Sequence, residues 1–289
     1  MTSPQESLRV EDDGLFCPEV GGWAETKYRL ISLYDELFAT GMKDKWDRRV
    51  YIDLYSGAGH SRIRHTEIRL KGSPILALGL PFPFDKYIFC EDDEDCLSVL
   101  ESRSKQVAPT ADITYVPGSC DDRVEEICRA IPKGPGDYKA LSLCVVDPFD
   151  FGIKFETVQR LSSFRMDFLV LLAVYMDAQR AYEHYVDGGN PKLDFALGNN
   201  DWRARWAARP RGRDEFPSFL AEEFAASMST LGYLPIKPTE MKMVRSNERN
   251  LPLYYIALFS KHKIAYQFWE QVLKYHTDQT SFSWGETNG

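Results

Sequence analysis

The sequence predicts an α/β fold built on a mostly parallel seven-stranded sheet that ends in an antiparallel hairpin. Three observations predict it. Short apolar runs bounded by turn residues recur along the chain, as buried parallel strands require. Helix-like stretches separate them, which implies right-handed βαβ units. Two strand-like runs near the C-terminus, joined by the polar segment Arg245–Pro252, read as a hairpin. The 289 residues, 44% hydrophobic and 27% charged, suit a single domain over 1–289.

The elements follow in order. An N-terminal helical segment, 15–45, contains an amphipathic helix over Trp23–Ala39. Its apolar face carries Tyr28, Leu30, Ile31, Tyr34, Leu37 and Phe38. Strands are predicted at Val50–Leu54, Tyr87–Cys90, Ile113–Val116, Leu141–Val146 and Phe168–Val174. Helices are predicted at Asp95–Ser104, Asp121–Ala130 and Phe155–Leu161. A long basic loop, 60–73, separates the first strand from the next helix and would fold over the pocket or meet a polyanion. After the fifth strand the alternation breaks at an insertion of about 180–230. It carries short helices and then a longer one over about 214–231. The hairpin strands are Ile236–Val244 and Leu253–Phe259, and a last helix runs from about His262 to Lys274.

Composition narrows the function classes. The net charge of −8 gives no general basic footprint for nucleic acid. The local exception is Arg203, Arg205, Arg209, Arg211 and Arg213, interleaved with Trp202 and Trp206. This cluster would grip phosphate and stack bases, or be a helix with core tryptophans and solvated arginines. The six cysteines form no C-x-x-C pair and the five histidines have no ligand spacing, so no metal site is expected. No apolar run is long enough for a membrane helix, and the polar, acidic N-terminus is no secretory signal. The expected location is cytoplasmic. No G-x-x-x-x-G-K-[ST] segment is present, which argues against an NTPase.

Chemistry concentrates at strand ends. The first strand runs into Asp53-Leu-Tyr55-Ser56-Gly57-Ala-Gly59, a turn whose glycines let backbone N–H groups approach a ligand. A dinucleotide fingerprint would need glycine at position 62, where Arg62 stands. The acid at the strand end, Asp53, instead matches S-adenosylmethionine enzymes, where it orients the cofactor's amino-acid part. The second strand ends at Glu91-Asp92-Asp93. Glu91, or else Asp92, would accept both ribose hydroxyls, while Asp93 or Asp95 caps the next helix. The third strand ends at Ser119-Cys120-Asp121, which is either an adenine contact or a helix cap.

The fourth strand ends at Asp147-Pro148-Phe149-Asp150. It looks like the (Asp/Asn)-Pro-Pro-(Tyr/Phe) motif of amino-group methyltransferases and, more closely, like the Asp-Pro-Phe-Gly of tRNA guanine-N2 dimethyltransferases. Asp147 would accept from a target amine, Pro148 would stiffen the turn, and Phe149 would support a planar ring. The single proline and Asp150 depart from both patterns. With the terminal hairpin, these features predict a Rossmann-like class I methyltransferase fold that binds S-adenosylmethionine and yields S-adenosylhomocysteine.

The chain as a whole resembles the three-Cys-motif partner (TcmP) family over about Trp23 to Trp269. The residues that carry the resemblance are Trp23-Ala-Glu-Thr-Lys27, Tyr51 to Gly59, Lys71-Gly-Ser73-Pro74, Asp147-Pro-Phe149, and Leu253 to His262 through Trp269. The resemblance implies a bacterial-type methyltransferase-like protein with a radical-SAM partner that bears the three cysteines. It also implies that Lys27 reaches the cofactor carboxylate from the first helix, unless it is a solvated lysine. Ser73 would cap the helix beside the glycine loop, with or without a ligand. Two functions follow as expectations. One is methyl transfer to an amino or ring nitrogen of a nucleic-acid base. The other is a non-catalytic, cofactor-binding subunit of the radical-SAM partner.

Overall fold

The computed structural model describes residues 8–135, 138–177, 181–186, 190–209 and 212–283. Its main sheet has seven strands: β3 (Arg48–Asp53), β6 (Lys86–Glu91), β7 (Ile113–Pro117), β8 (Ala140–Val146), β9 (Met166–Leu172), β10 (Lys242–Arg245) and β11 (Pro252–Phe259). Their spatial order is β10-β11-β9-β8-β3-β6-β7. The five strands from β7 to β9 are parallel, and β11 and β10 close the sheet antiparallel. This is the predicted class I methyltransferase arrangement. The order reverses between β3 and β8, so their carboxyl ends flank the switch-point crevice where open α/β sheets bind ligands.

Both faces of the sheet are buried, which explains the continuous apolar runs. Side chains alternate across the pleat. Val50, Ile52, Ile88, Cys144 and Phe168 face one core, and Tyr51, Tyr87, Leu143, Val145 and Leu169 face the other. The first core is covered by α4 (Cys120–Ala130), α5 (Phe155–Leu161) and α9 (Phe216–Thr230), together with the insertion. The second is covered by α1 (Ala24–Gly41), α2 (Ser73–Leu78), α3 (Glu94–Val107) and α10 (Lys263–Ser283).

Four expectations change. The loop 60–73 is a β-hairpin of β4 (His60–Ile63) and β5 (Arg69–Lys71). It joins β1 (Arg9–Val10) and β2 (Glu19–Val20) in a second sheet of order β1-β5-β4-β2. The N-terminal segment is therefore part strand, and helical only from Ala24. The strand predicted from Ile236 shrinks to Lys242–Arg245, because Pro235 and Pro238 cannot donate to a ladder. The last helix extends beyond Lys274, to Ser283.

The insertion contains α6 (Tyr182–Val186), α7 (Lys192–Leu197) and α8 (Trp202–Ala207). Trp202 is 0% exposed and Trp206 is 6% exposed. Their rings meet Phe216 at 5.9 and 5.0 Å. Each described arginine of the cluster faces an acid. Arg203 pairs with Asp194, Arg205 with Glu223, Arg209 with Glu222 at 2.7 Å and Arg213 with Glu183 at 3.2 Å. Of the two readings left open, the helix with core tryptophans is the one observed, and its arginines are ion-paired rather than merely solvated. Arg211 lies outside the described residues.

Candidate functional site

A cavity of about 340 Å³ opens at the carboxyl ends of β3, β6 and β8. That is within the roughly 300–1,000 Å³ of small-molecule sites. Its floor is the turn after β3. Gly57 and Gly59 have φ of +58° and +82°, a backbone that side chains rarely adopt. A Cβ on Gly59 would also come within 2.9 Å of Leu100. A Cβ on Gly57 would meet nothing within 4 Å. Ser56 is tied to β6, its N–H and hydroxyl each donating to the Cys90 carbonyl at 3.0 Å.

The acid at the tip of β6 shapes this floor. Glu91 Oε2 accepts from the Gly57 N–H at 2.6 Å, and Oε1 accepts from the Asp93 N–H at 3.1 Å. Each oxygen keeps a lone pair for a further donor. Asp93 caps α3, accepting from the Cys96 N–H at 2.9 Å, as the sequence suggested. Asp92 is exposed and stands outside the cavity wall.

The wall opposite is formed by α1 and the tip of β8. Lys27 Nζ donates to Asp147 Oδ2 at 2.5 Å, and both side chains are largely buried. Burial, the largest single influence, would depress the Lys27 ammonium, but the charges of Asp147 and Tyr28 and the hydrogen bonds with them together outweigh it and raise the pKa. Burial pushes the Asp147 carboxyl up, and Lys27 pulls it back only in part. Lys27 also lies 4.4 Å from the Tyr28 ring centre. No described group donates to Asp147 Oδ1, which leaves one oxygen of this cavity-lining carboxylate without a donor. Pro148 follows, and Phe149 lines the cavity while 90% exposed. Asp150, at the glycine position of the tRNA-enzyme motif, pairs with Lys192 of the insertion at 2.8 Å.

The cavity thus brings together Lys27, Asp147, Pro148 and Phe149 with Tyr55, Ser56, Gly57, Gly59, Ser73 and Glu91. Besides Asp92, three predicted residues stand apart. Asp53 is fully buried behind the floor and accepts from the Tyr55 N–H at 3.2 Å. Burial pushes its carboxyl up to about 7, against the nearby Ser73 hydroxyl. In this structure it shapes the turn from behind. Ser119 sits at the N-cap of α4 with no side-chain cap bond, and Cys120 is buried; neither lines the cavity. Asp121 ties the start of α4 to α5, accepting from the Thr157 hydroxyl at 2.5 Å.

Sequence reasoning expected the 60–73 segment over the pocket but missed the N-terminal part of the roof. Residues 16–20 cross the cavity mouth, with Phe16, Pro18, Glu19 and Val20 on its wall. Arg103, 2% exposed, anchors this strap. Its guanidinium donates to Asp13 at 2.7 and 2.8 Å, to the Phe16 carbonyl at 3.0 Å and to the Ala58 carbonyl of the glycine turn at 2.6 Å. Arg62 and Arg69 of the hairpin hold Glu19 and Asp12, each at 2.5 Å. Arg64, at the end of β4, lines the cavity itself. Two-residue strands carry no periodicity, so only the alternation of acids in 11–19 with arginines in 62–69 hinted at the strap.

No family model matches the chain, and no curated protein sequence does. Solved structures with similar folds exist. The Trm1 protein of Pyrococcus horikoshii, in complex with S-adenosyl-L-methionine, is 10% identical, with a TM-score of 0.45 over 92% of this chain and 64% of its own. Cofactor-bound Rv0187 from MTB is 12% identical, with a TM-score of 0.42 over 90% and 88%. The N-terminal domain of human METTL16, in complex with SAH, is 12% identical, with a TM-score of 0.37 over 89% and 77%. Likeness at this level leaves the fold resting on the strand order and the site on its own geometry.

Proposed function

We propose that the cavity binds S-adenosylmethionine and that the chain transfers its methyl group to an amino or ring nitrogen, with a nucleic-acid base as the acceptor class. The observation that carries this reading is Asp147, fixed by Lys27 through Oδ2 and free at Oδ1, across the cavity from a glycine turn pinned by Glu91. The residues suit the cofactor. Glu91 offers acceptor lone pairs for ribose hydroxyls, and Gly57 leaves open space where a side chain would stand. When bound, the cofactor supplies an electrophilic methyl carbon.

The chain's own residues supply position and electrostatics, which account for much of the rate in an in-line displacement. Asp147 Oδ1 accepts an N–H of the acceptor and aims the nitrogen lone pair at the methyl carbon. Asp147 would also take up the proton that the acceptor nitrogen gives up and pass it to water. Lys27 holds the carboxylate in one orientation. Phe149, exposed at the mouth, offers a face for a planar base.

The reading includes membership of the three-Cys-motif partner family, supported by the segments Trp23–Lys27 and Asp147–Phe149, and with it a radical-SAM partner. That partner sustains a second reading, a cofactor-binding subunit without turnover. The observation in its favour is the Asp150–Lys192 pair, which occupies the place where the tRNA-enzyme motif has glycine. Labelled methyl transfer to RNA and DNA pools, with and without the partner, tests both. The catalytic reading expects Asp147→Ala to lose at least about 100-fold in transfer while still binding S-adenosylhomocysteine. Binding without any transfer by the wild-type protein would leave only the second reading.

A further inference from the structure

The amino-acid tail of S-adenosylmethionine ends in a carboxylate, and an anion drawn into a cavity needs a cation or several donors. Among the described residues two cationic side chains line the cavity, Lys27 and Arg64. Lys27 is committed to Asp147 at 2.5 Å. The role that the family resemblance implies for it, reaching the cofactor carboxylate, would require breaking that buried pair.

Arg64 differs from the arginines around it. Arg62, Arg69 and Arg103 each hold an acid of the strap. No described acid lies within ion-pair distance of Arg64. The acids that share its cavity are engaged elsewhere. Glu19 is bound by Arg62, Glu91 and Asp93 accept backbone N–H groups, and Asp147 holds Lys27.

The backbone that presents Arg64 is locked. Its N–H donates to the Val20 carbonyl at 2.9 Å. The next residue, His65, has φ +61°, and the Thr66 N–H and hydroxyl donate to the Ile63 carbonyl at 3.1 and 2.9 Å. The hairpin therefore places Arg64, exposed and without a described acid partner, among the residues that line the cavity. A guanidinium matches a carboxylate with two parallel hydrogen bonds.

We propose, on the cofactor reading above, that Arg64 binds the carboxylate of the cofactor's amino-acid tail. A phosphate of the acceptor strand has the same anionic chemistry, and the experiment separates the two sources.

The test is calorimetric titration of the full chain with S-adenosylhomocysteine and with 5′-methylthioadenosine, which keeps the nucleoside and thioether but lacks the tail. Arg64→Gln should weaken S-adenosylhomocysteine about 10- to 100-fold, leave methylthioadenosine unchanged, and be partly rescued by Arg64→Lys. Three results overturn the proposal. In one, Arg64→Gln binds S-adenosylhomocysteine like the wild type. In another, it loses both ligands by the same factor. In the third, its only loss is in affinity for an oligonucleotide. If the wild-type chain binds neither small ligand, the cofactor reading itself falls, and Arg64's role with it.

Discussion

Two arginine-rich stretches, 62–71 and 202–213, look alike as sequence and do opposite work. In the insertion the acids come from near in the chain. Arg203 meets Asp194 nine residues away, Arg209 meets Glu222 at thirteen, and Arg205 meets the buried Glu223 at eighteen. The result is a self-contained layer fastened over core tryptophans. In the hairpin the main acids come from far, although Arg69 also lies 3.7 Å from its neighbour Glu67. Arg62 reaches Glu19 across 43 residues and Arg69 reaches Asp12 across 57. Those pairs draw the N-terminal segment over the cavity, and Arg103 locks it to the glycine turn. A run of like charge thus takes its meaning from the origin of its counter-charges. Local ones make structure, and distant ones shape a site.

The comparison can be broken from either side. Trp202→Ala should have the largest stability effect, about 3–5 kcal/mol in urea unfolding, with S-adenosylhomocysteine affinity unchanged. A parallel loss of affinity would show that the insertion serves the cavity. Arg103→Ala should cost less, about 1–3 kcal/mol, since it strips the buried Ala58 carbonyl of its donor and frees Asp13, which is itself exposed. Here titration should show weaker ligand binding as well, because the strap loses its anchor.

Acid should act on the strap side first. His60 lies 3.4 Å from Asp13, and burial, assisted by Arg103, lowers its pKa to about 4. The folded state then binds fewer protons than the unfolded one below the ordinary value of 6.5. The stability contributed by neutral His60 is full above that value and is lost as pH falls toward 4. Between pH 7 and 4.5 the wild type should lose on the order of 2 kcal/mol relative to His60→Gln. Asp13, which its hydrogen bonds with Arg103 hold at about 2, stays ionised through that window. Hydrogen exchange should accelerate at residues 9–20 before residues 202–207, and the reverse order would sink the distinction. The smallest effect belongs to Arg62→Gln. Its half-exposed pair with Glu19 should contribute less than about 1 kcal/mol, further reduced by salt.

Most of the main sheet was legible because buried parallel strands are written as unbroken apolar runs. The run Leu141–Val146 became Ala140–Val146, and Val50–Leu54 became Arg48–Asp53. The second sheet was illegible, since its strands are two to four residues long and two of its three pairings cross tens of residues. The cavity was half legible. Gly57, Glu91 and Asp147 sit at strand ends, where chain order predicts a common crevice. Asp92, Ser119 and Cys120 occupy the same kind of position and lie off the wall, because the side-chain direction at a strand's last turn depends on packing. Tyr254 was invisible: it lines the cavity from inside an apolar strand, its hydroxyl buried without a partner.

By itself the sequence determined the α/β class, the strand order through the chain, the glycine turn and the acids at the strand tips. These follow from periodicity and local backbone chemistry, which any short window contains. Only the tertiary structure decided which charges meet. It paired Lys27 with Asp147 across 120 residues and Arg103 with Asp13 across 90, and it left Arg64 in the cavity without a described acid. Ion pairing depends on distance in space, and no local pattern encodes a separation that the fold has yet to close.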